Sequence, residues 1–217
     1  FLRQAGVSQA VMAGKVPKGV LYGDRDALRF DPNAQQVIGS LRDRRDDTIL
    51  LAIADFLGKA GIRLLPQWSF SPELLIGPGP LGAHAPNEAQ RAEIAFGFPI
   101  AKTIGDLDIG QTVVVKERAV LAVEAIEGTD EAIRRAGRIA AGSCVVKVAK
   151  PGEGARFDVP AVGGDALDPL LAPRAEVLAF EAGATIVLER DEVVARADAA
   201  GLVIVGVDPA ELAGGAS

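Results

Sequence analysis

Apolar residues along the chain follow two patterns, and each pattern predicts a different type of element. Apolar residues at helical spacing predict helices over 32–44 and 46–61, and further helices are predicted over 88–104, 130–135, 165–171 and 190–200. Short continuous apolar runs predict strands at 7–14, 62–66, 112–115, 119–126, 144–149, 177–180, 185–188 and 202–205. Because helices and strands alternate along the chain, the pattern predicts an α/β fold.

A segment rich in proline and glycine separates two such α/β regions. Residues 1–70 read as a strand, two helices and a strand, which predicts a right-handed parallel crossover. Residues 71–87 are predicted to be an interdomain linker. Residues 88–210 combine hairpin and crossover connections and therefore predict a second domain with a mixed sheet. A tail follows at 211–217, and its residues 213–217 are expected to be disordered. The chain is thus expected to form two α/β domains.

Within the linker, Gly77-Pro78-Gly79-Pro80-Leu81-Gly82 matches the letters of a dinucleotide-binding loop. That loop works by offering backbone N–H groups to a pyrophosphate between a strand and a helix. Proline has no N–H group to offer, and no strong strand-to-helix junction surrounds the segment. We therefore do not expect a nicotinamide-dependent oxidoreductase, which is one alternative function for an α/β chain.

Two local features of the second region predict turns or breaks. Lys116-Glu117-Arg118 separates two strand candidates and is expected to form a hairpin connection. Pro99 falls inside the predicted helix 88–104 and is expected to bend or interrupt it.

The densest polar cluster follows the strand predicted at 119–126, where four carboxylates fall within residues 124–131. The strand is apolar at nearly every other position, as in a strand that is buried on both faces. Glu124 therefore needs a partner, because an unpaired buried charge is costly. Gly128 allows a tight turn, and Thr129 is predicted to be the N-cap of the following helix.

This cluster predicts a metal-assisted phosphate site. A helix N-terminus attracts phosphate, whereas clustered carboxylates repel it, and a Mg²⁺ ion between them resolves the conflict. Asp130, Glu127 and Glu124 are the ligand candidates, with Glu127 favoured over Glu124. The alternative is plain helix capping, because acidic residues in a first turn are favourable without any function.

Cations near the end of the strand at 144–149 complete the predicted site. Lys147, Lys150 and Arg156 lie close to Gly152 and Gly154 and could hold phosphate oxygens. Lys147 stands among valines and would be half-buried without a partner, whereas each of the others also fits a solvated loop. Lys116, at the end of the strand that pairs with 119–126, is a further candidate.

Composition excludes several other functions. The net charge of −6 argues against a nucleic-acid surface. Cys144 is the only cysteine, so an internal disulfide is excluded. His84 is the only histidine and is expected to be a loop residue, so we do not expect Ser-His-Asp or Cys-His catalysis or a zinc site of several histidines. Cys144 is expected to be a buried apolar residue in a protein of a reducing compartment. The chain starts at Phe1 in a segment that reads like the tail of a helix, so we expect further residues before it.

At these residues the chain resembles the UDP-2,3-diacylglucosamine pyrophosphatases of the LpxI type. The resemblance rests on long contiguous segments at 108–116, 119–130, 145–151 and 156–162, and on shorter matches at 94–98 and 73–75. It extends from residue 1 to about residue 207.

The resemblance implies a Rossmann-like N-terminal domain, here truncated at its N-terminus, and a distinct C-terminal domain that is catalytic. It implies Mg²⁺-dependent hydrolysis of UDP-2,3-diacylglucosamine to UMP and 2,3-diacylglucosamine 1-phosphate (lipid X) in lipid A synthesis of a Gram-negative bacterium. The essential Asp of the family falls on Asp130. In this interpretation Asp130 and Glu127 are catalytic, and Gly128 and Thr129 contact the phosphates together with the lysines and Arg156.

Partners and location follow from the same resemblance. The protein is expected in the cytoplasm, in transient contact with the inner membrane as a peripheral protein, and the sequence leaves monomer and homodimer open. A non-catalytic protein that binds a sugar nucleotide or a lipid phosphate remains the alternative, because it needs the same cations. A purely structural domain would leave Glu124 and Lys147 in apolar strands unexplained.

Overall fold

The protein is described here from a computed structural model, in which residues 1–14, 31–43, 45–150, 156–157 and 159–214 are described. The chain divides into two compact units. The first comprises Phe1–Phe70 and Gly152–Asp158, and the second comprises Ser71–Pro151 and Val159–Ser217. Both contain helices and strands, which confirms the predicted two-domain α/β class.

The first unit is a parallel strand pair connected through helices. Strand β1 (Gln9–Ala10) pairs in parallel with β2 (Arg63–Leu64). Between them lie helices α1 (Pro32–Gly39) and α2 (Asp46–Lys59). This pairing confirms that the two strands are parallel, as predicted, although the strands and α1 are shorter than their apolar runs.

The second unit is built on a six-stranded mixed sheet. Its strands in chain order are β3 (Gly79–Pro80), β4 (Thr112–Lys116), β5 (Ala119–Val123), β6 (Cys144–Lys147), β8 (Val177–Glu181) and β10 (Val203–Val207). Their spatial order is β3-β10-β8-β6-β4-β5, with β10, β8 and β6 parallel and the other pairings antiparallel. Strands β7 (Ala161–Val162) and β9 (Ile186–Val187) form a separate parallel pair. The predicted mixed sheet is therefore confirmed.

Helices cover both faces of this sheet. One face packs against α3 (Glu88–Asp106), which contributes Ile94, Phe98 and Ala101 to a buried cluster. The other face carries α4 (Thr129–Gly137), α5 (Asp168–Leu171), preceded by a 3-10 turn at Gly164–Leu167, and α6 (Arg190–Ala200). A last helix, α7, spans Pro209–Gly214. It begins before, and extends into, the segment that was expected to be a disordered tail.

The segment predicted to be a linker contributes to the second unit instead. It contains a 3-10 turn at Pro72–Leu74 and strand β3, which pairs with β10. Leu81 N donates to the carbonyl of Ile204, so pairing continues past the strand. Proline is tolerated in β3 because this strand lies at the edge of the sheet, where a missing N–H group can face away from the neighbour. The strand also excludes a phosphate-binding loop between a strand and a helix at this position.

Strand β5 corrects a second expectation. The run 119–126 was expected to be a strand buried on both faces, but β5 ends at Val123 and is the other edge of the sheet. Its burial is accordingly partial, and the side chain of Val120 is 41% exposed. The hairpin connection to β4 is confirmed. Glu117 and Arg118 form it with φ values of 50° and 56°, the positive values that two-residue hairpins favour.

Pro99 does not interrupt α3. The helix runs unbroken from Glu88 to Asp106, starting with a capping box between Asn87 and Gln90. The hydroxyl of Thr103 donates to the carbonyl of Pro99 at 2.9 Å.

Candidate functional site

The candidate site lies at one end of the sheet of the second unit. Parallel strands β6, β8 and β10 all finish at this end, which is where α/β sheets usually bind their ligands. Antiparallel strand β4 begins there with Thr112, and β5 finishes there just before Glu124. The end of the sheet thus collects residues from distant parts of the sequence.

A row of three residues crosses this end of the sheet: Lys147 in β6, Thr112 in β4 and Glu124, which directly follows β5. Thr112 pairs with Lys147 in the register of β4 and β6. On its other side, Glu124 N donates to the carbonyl of Thr112 at 2.9 Å. Directly opposed residues point to the same face of a sheet, and this is the face covered by α4.

The turn from β5 into α4 depends on Gly128. Its φ of 86° and ψ of 168° are accessible to glycine and strained for other residues. Gly128 is the N-cap, and the helix starts at Thr129. The prediction that Thr129 is the N-cap was therefore wrong. Its hydroxyl donates to the side chain of Glu124 and not to the backbone of the helix.

The Thr129 hydroxyl lies between two charged groups. It donates to Oε1 of Glu124 at 2.9 Å and accepts from Nζ of Lys147 at 3.3 Å. The second carboxylate oxygen of Glu124 accepts from Gln111 N at 3.3 Å. Glu124 is only 7% exposed, so these bonds provide the compensation that a buried carboxylate requires. We call the arrangement the Glu124–Thr129–Lys147 chain.

The remaining carboxylates of the cluster point to different roles. Glu127 forms an ion pair with Arg135 at 2.7 Å, and the same guanidinium donates to the carbonyl of Val123. Asp130 is exposed in the first turn of α4, and within the described residues no hydrogen bond or ion pair involves its carboxylate. Glu131 forms ion pairs with Arg134 and Arg138. Asp130 is therefore the carboxylate of this cluster that is available to a ligand.

The expected three-carboxylate metal site is not assembled. In the parts of the chain that are described, no group of three or more His, Cys, Asp or Glu side chains could hold a metal ion. Glu124 and Glu127 are engaged by other partners, which leaves Asp130. One carboxylate still fits Mg²⁺, because this ion commonly binds one or two carboxylates together with phosphate oxygens of the substrate. The donor set thus fits a metal that arrives with a phosphate ligand.

Lys150 is buried and paired with a carboxylate. Its ammonium group forms an ion pair with Asp108 at 2.7 Å, and their side chains are 2% and 5% exposed. A buried pair of this kind fixes the loop before β4 to the loop after β6. The expectation that Lys150 contacts phosphate is therefore replaced by a structural role.

A second ion pair stabilises the backbone that follows β6, and it was not predicted from the sequence. Lys102 donates to Glu181 at 3.0 Å and to the carbonyl of Ala149 at 2.9 Å. Glu181 in turn accepts from Ala149 N at 3.0 Å. The only signal in the sequence was that each charged residue lies beside an apolar run, Lys102 in the last part of α3 and Glu181 at the end of β8. Together the two pairs hold the backbone that follows Lys147.

Lys116 lies at the opposite end of the sheet. Thr112, at the start of β4, pairs with Lys147, whereas Lys116 lies beyond the residue that pairs with Cys144. Its ammonium group donates to the carbonyls of Ala141 and Gly142. Because β4 runs antiparallel to β6, the strand carries Lys116 away from the predicted phosphate site.

Arg156 belongs to the first unit. Its guanidinium stacks on the ring of Phe157, 5.1 Å from the centroid. The residue also lines a groove of about 350 Å³ with residues of α2, of β2 and of the turn between them, including Gly58, Gly61 and Arg63. Gly152 and Gly154, which accompanied it in the prediction, lie outside the described residues.

The single cysteine and histidine have no place in this site. Cys144 is buried, and burial, reinforced by the carboxylates of Glu93 and Glu176, raises the pKa of its thiol. The thiol is therefore protonated at neutral pH and a poor nucleophile, as expected for a buried apolar residue. His84 is exposed in a loop, with Nε2 within 3.2 Å of the carbonyl of Asp198.

Comparison with known proteins places both units in one family. Residues 1–74 match the LpxI N-terminal domain, and residues 77–205 match the LpxI C-terminal domain. The chain is also 32% identical to the UDP-2,3-diacylglucosamine pyrophosphatase LpxI of Caulobacter vibrioides, over 97% of this chain and 78% of that protein. The similarity therefore extends along both units.

Proposed function

Because the chain belongs to the LpxI family, we propose that it hydrolyses the pyrophosphate bond of UDP-2,3-diacylglucosamine in lipid A synthesis. Water adds to one phosphorus, the bridging P–O bond breaks, and the products are UMP and 2,3-diacylglucosamine 1-phosphate. The observation that carries the proposal is the relationship to the Caulobacter pyrophosphatase along 97% of the chain. Such coverage includes every element that builds the end of the sheet described above.

The geometry of the site supports this chemistry. Lys147 places a cation beside the N-terminus of α4, whose first N–H groups have no intrahelical partner. Both features attract phosphate oxygens. Phosphoryl transfer depends mainly on positioning and charge neutralisation, so a site without histidine is adequate.

Asp130 would hold Mg²⁺ jointly with the phosphate oxygens of the substrate. When bound, this ion would supply charge neutralisation and an activated water. Asp130 is suited to the role because its carboxylate is exposed and adjacent to Thr129. Glu127 is less suited, since its ion pair with Arg135 would have to break first.

The proposed substrate carries two acyl chains and resides in a membrane. Among the helices of the described residues, none combines the length and apolar character needed to cross a bilayer. We place the protein in the cytoplasm, in transient peripheral contact with the inner membrane that supplies the lipid.

The experiment is release of UMP from UDP-2,3-diacylglucosamine by the purified full-length protein, with Mg²⁺ or with EDTA. The proposal expects one UMP and one 2,3-diacylglucosamine 1-phosphate per substrate consumed, and activity only with the metal. Binding of the substrate without any product would overturn it in favour of a non-catalytic binding protein. Turnover that persists in EDTA would support the proposed reaction and show that it does not require a metal ion.

A further inference from the structure

The hydrogen bonds around Thr129 have a defined direction. A carboxylate accepts only and an ammonium group donates only, whereas a hydroxyl does both. The Thr129 hydroxyl therefore gives its proton to Glu124 and turns a lone pair toward Lys147. Its orientation is fixed from both sides, and the position of the Lys147 ammonium group is restrained with it.

We propose that Glu124 and Thr129 are positioning residues, which hold the ammonium group of Lys147 at the N-terminus of α4 to bind a phosphate group of the ligand. In this proposal Glu124 is not a metal ligand. The proposal rests on the proposed function for the nature of the ligand, a nucleoside diphosphate linked to a sugar.

Glu124 is suited to positioning and poorly suited to metal binding. One of its oxygens accepts from Thr129 Oγ1 and the other from Gln111 N. A metal ion would have to displace these bonds at a side chain that is 7% exposed. Low exposure also strengthens the bonds, because hydrogen bonds to charged groups gain from a low local dielectric.

Thr129 is free for this role because the helix does not need its side chain. The N-cap is Gly128, whose backbone conformation makes the turn. A threonine that only capped the helix would direct its hydroxyl to backbone N–H groups of the first turn. In this structure the hydroxyl instead connects Lys147, at the end of β6, to Glu124, the residue that follows β5.

The test compares three single variants by their affinity for UDP in EDTA, measured by calorimetry. Thr129→Val removes the hydroxyl at nearly constant shape and should weaken UDP binding about 10-fold, the effect of one hydrogen bond to a charged group. Thr129→Ser keeps the hydroxyl and should stay within about 2-fold, well below the effect of one such bond. Thr112→Val is the matched control, because this hydroxyl lies in the same row, is fully buried and has no hydrogen-bond partner among the described residues.

Equal UDP affinities for Thr129→Val and wild type would overturn the proposal. A loss of UDP affinity in Thr129→Ser as large as that in Thr129→Val would overturn it as well. Absence of UDP binding by the wild-type protein would also overturn it, because Lys147 would then not be a phosphate-binding group. If wild-type protein binds UDP and hydrolyses no lipid substrate, the proposed reaction fails, and the variant affinities still decide the positioning role.

A second measurement separates positioning from metal binding at Glu124. Glu124→Gln should raise KM for the lipid substrate and leave the Mg²⁺ concentration for half-maximal activity unchanged. A rise of about 10-fold or more in that concentration, with activity restored by excess Mg²⁺, would make Glu124 a ligand of the metal and contradict the proposal.

Discussion

A Cβ atom on Gly110 would lie 2.2 Å from the carbonyl oxygen of Glu124. The loop before β4 therefore packs directly against the residue that follows β5, and only a glycine allows this approach. The same loop supplies Gln111 N to the Glu124 carboxylate. Backbone packing at Gly110 thus determines where the Glu124 side chain lies.

Gly110→Ala should consequently lower the free energy of unfolding by about 1–3 kcal/mol, the usual cost of overpacking. It should also reduce activity, because relief of the clash moves Glu124. Denaturant unfolding and steady-state kinetics measure the two effects. Gly58→Ala is the matched control, since a Cβ there meets nothing within 4 Å in helix α2. A variant at Gly110 as stable and as active as wild type would show that the loop can shift freely.

Gly128→Ala tests the turn itself. A residue with a side chain in this conformation costs roughly 1–3 kcal/mol, although the space around Gly128 is open. We expect a lower melting temperature. We also expect a loss of activity under conditions where the variant is still folded, because Thr129 and Asp130 follow Gly128 directly. Gly163→Ala is the control, since Gly163 is also an N-cap glycine, with an ordinary φ of −136°. Equal effects of both substitutions would contradict the role of backbone conformation at Gly128.

Lys147 and Lys116 make a matched pair for the phosphate contact. Both are half-buried lysines at the ends of neighbouring strands, and only Lys147 lies beside α4. Lys147→Met should weaken UDP binding by about 10-fold or more, the effect of one charged hydrogen bond. Lys116→Met should leave it unchanged and affect only the melting temperature. A loss of affinity in Lys116→Met would mean that phosphate binds at the other end of the sheet.

Lys150 should matter for stability through Asp108. Lys150→Met removes the ammonium group that pairs with the buried Asp108 carboxylate, and breaking a buried ion pair typically costs about 3–5 kcal/mol. The double variant Lys150→Met/Asp108→Asn also removes the carboxylate charge and should recover most of the stability and activity. Denaturant unfolding and UMP release are measured on the same preparations. Recovery of stability without recovery of activity would instead indicate that Lys150 contacts the substrate.

The elements that were predicted correctly from the sequence are those that depend on local patterns. Helix α6 has the predicted bounds, Arg190–Ala200, and Gly201 follows it in the left-handed conformation that commonly ends a helix, which is a local signal. The hairpin between β4 and β5 is local in the same way, since two residues make the connection.

The features that the sequence did not predict depend on contacts between residues that are distant along the chain. The pairing of β3 with β10 joins segments separated by more than one hundred residues, so a proline-rich run looked like a linker. Lys150 and Asp108 are 42 positions apart. Nothing near Lys150 in the sequence indicates that its charge is buried and paired. The role of Thr129 likewise depends on Lys147, 18 positions away.

The central claim is that Asp130 takes part in the reaction, and one substitution tests it directly. UMP release from UDP-2,3-diacylglucosamine is compared for Asp130→Asn and Asp191→Asn, which replaces an exposed acid in the first turn of α6. Both lose a similar helix-dipole interaction of about 0.3–1 kcal/mol, so their melting temperatures should be alike. We predict that only Asp130→Asn loses activity, by roughly 10²- to 10⁴-fold. Undiminished UMP release by Asp130→Asn would contradict the account and leave the acidic cluster as helix capping.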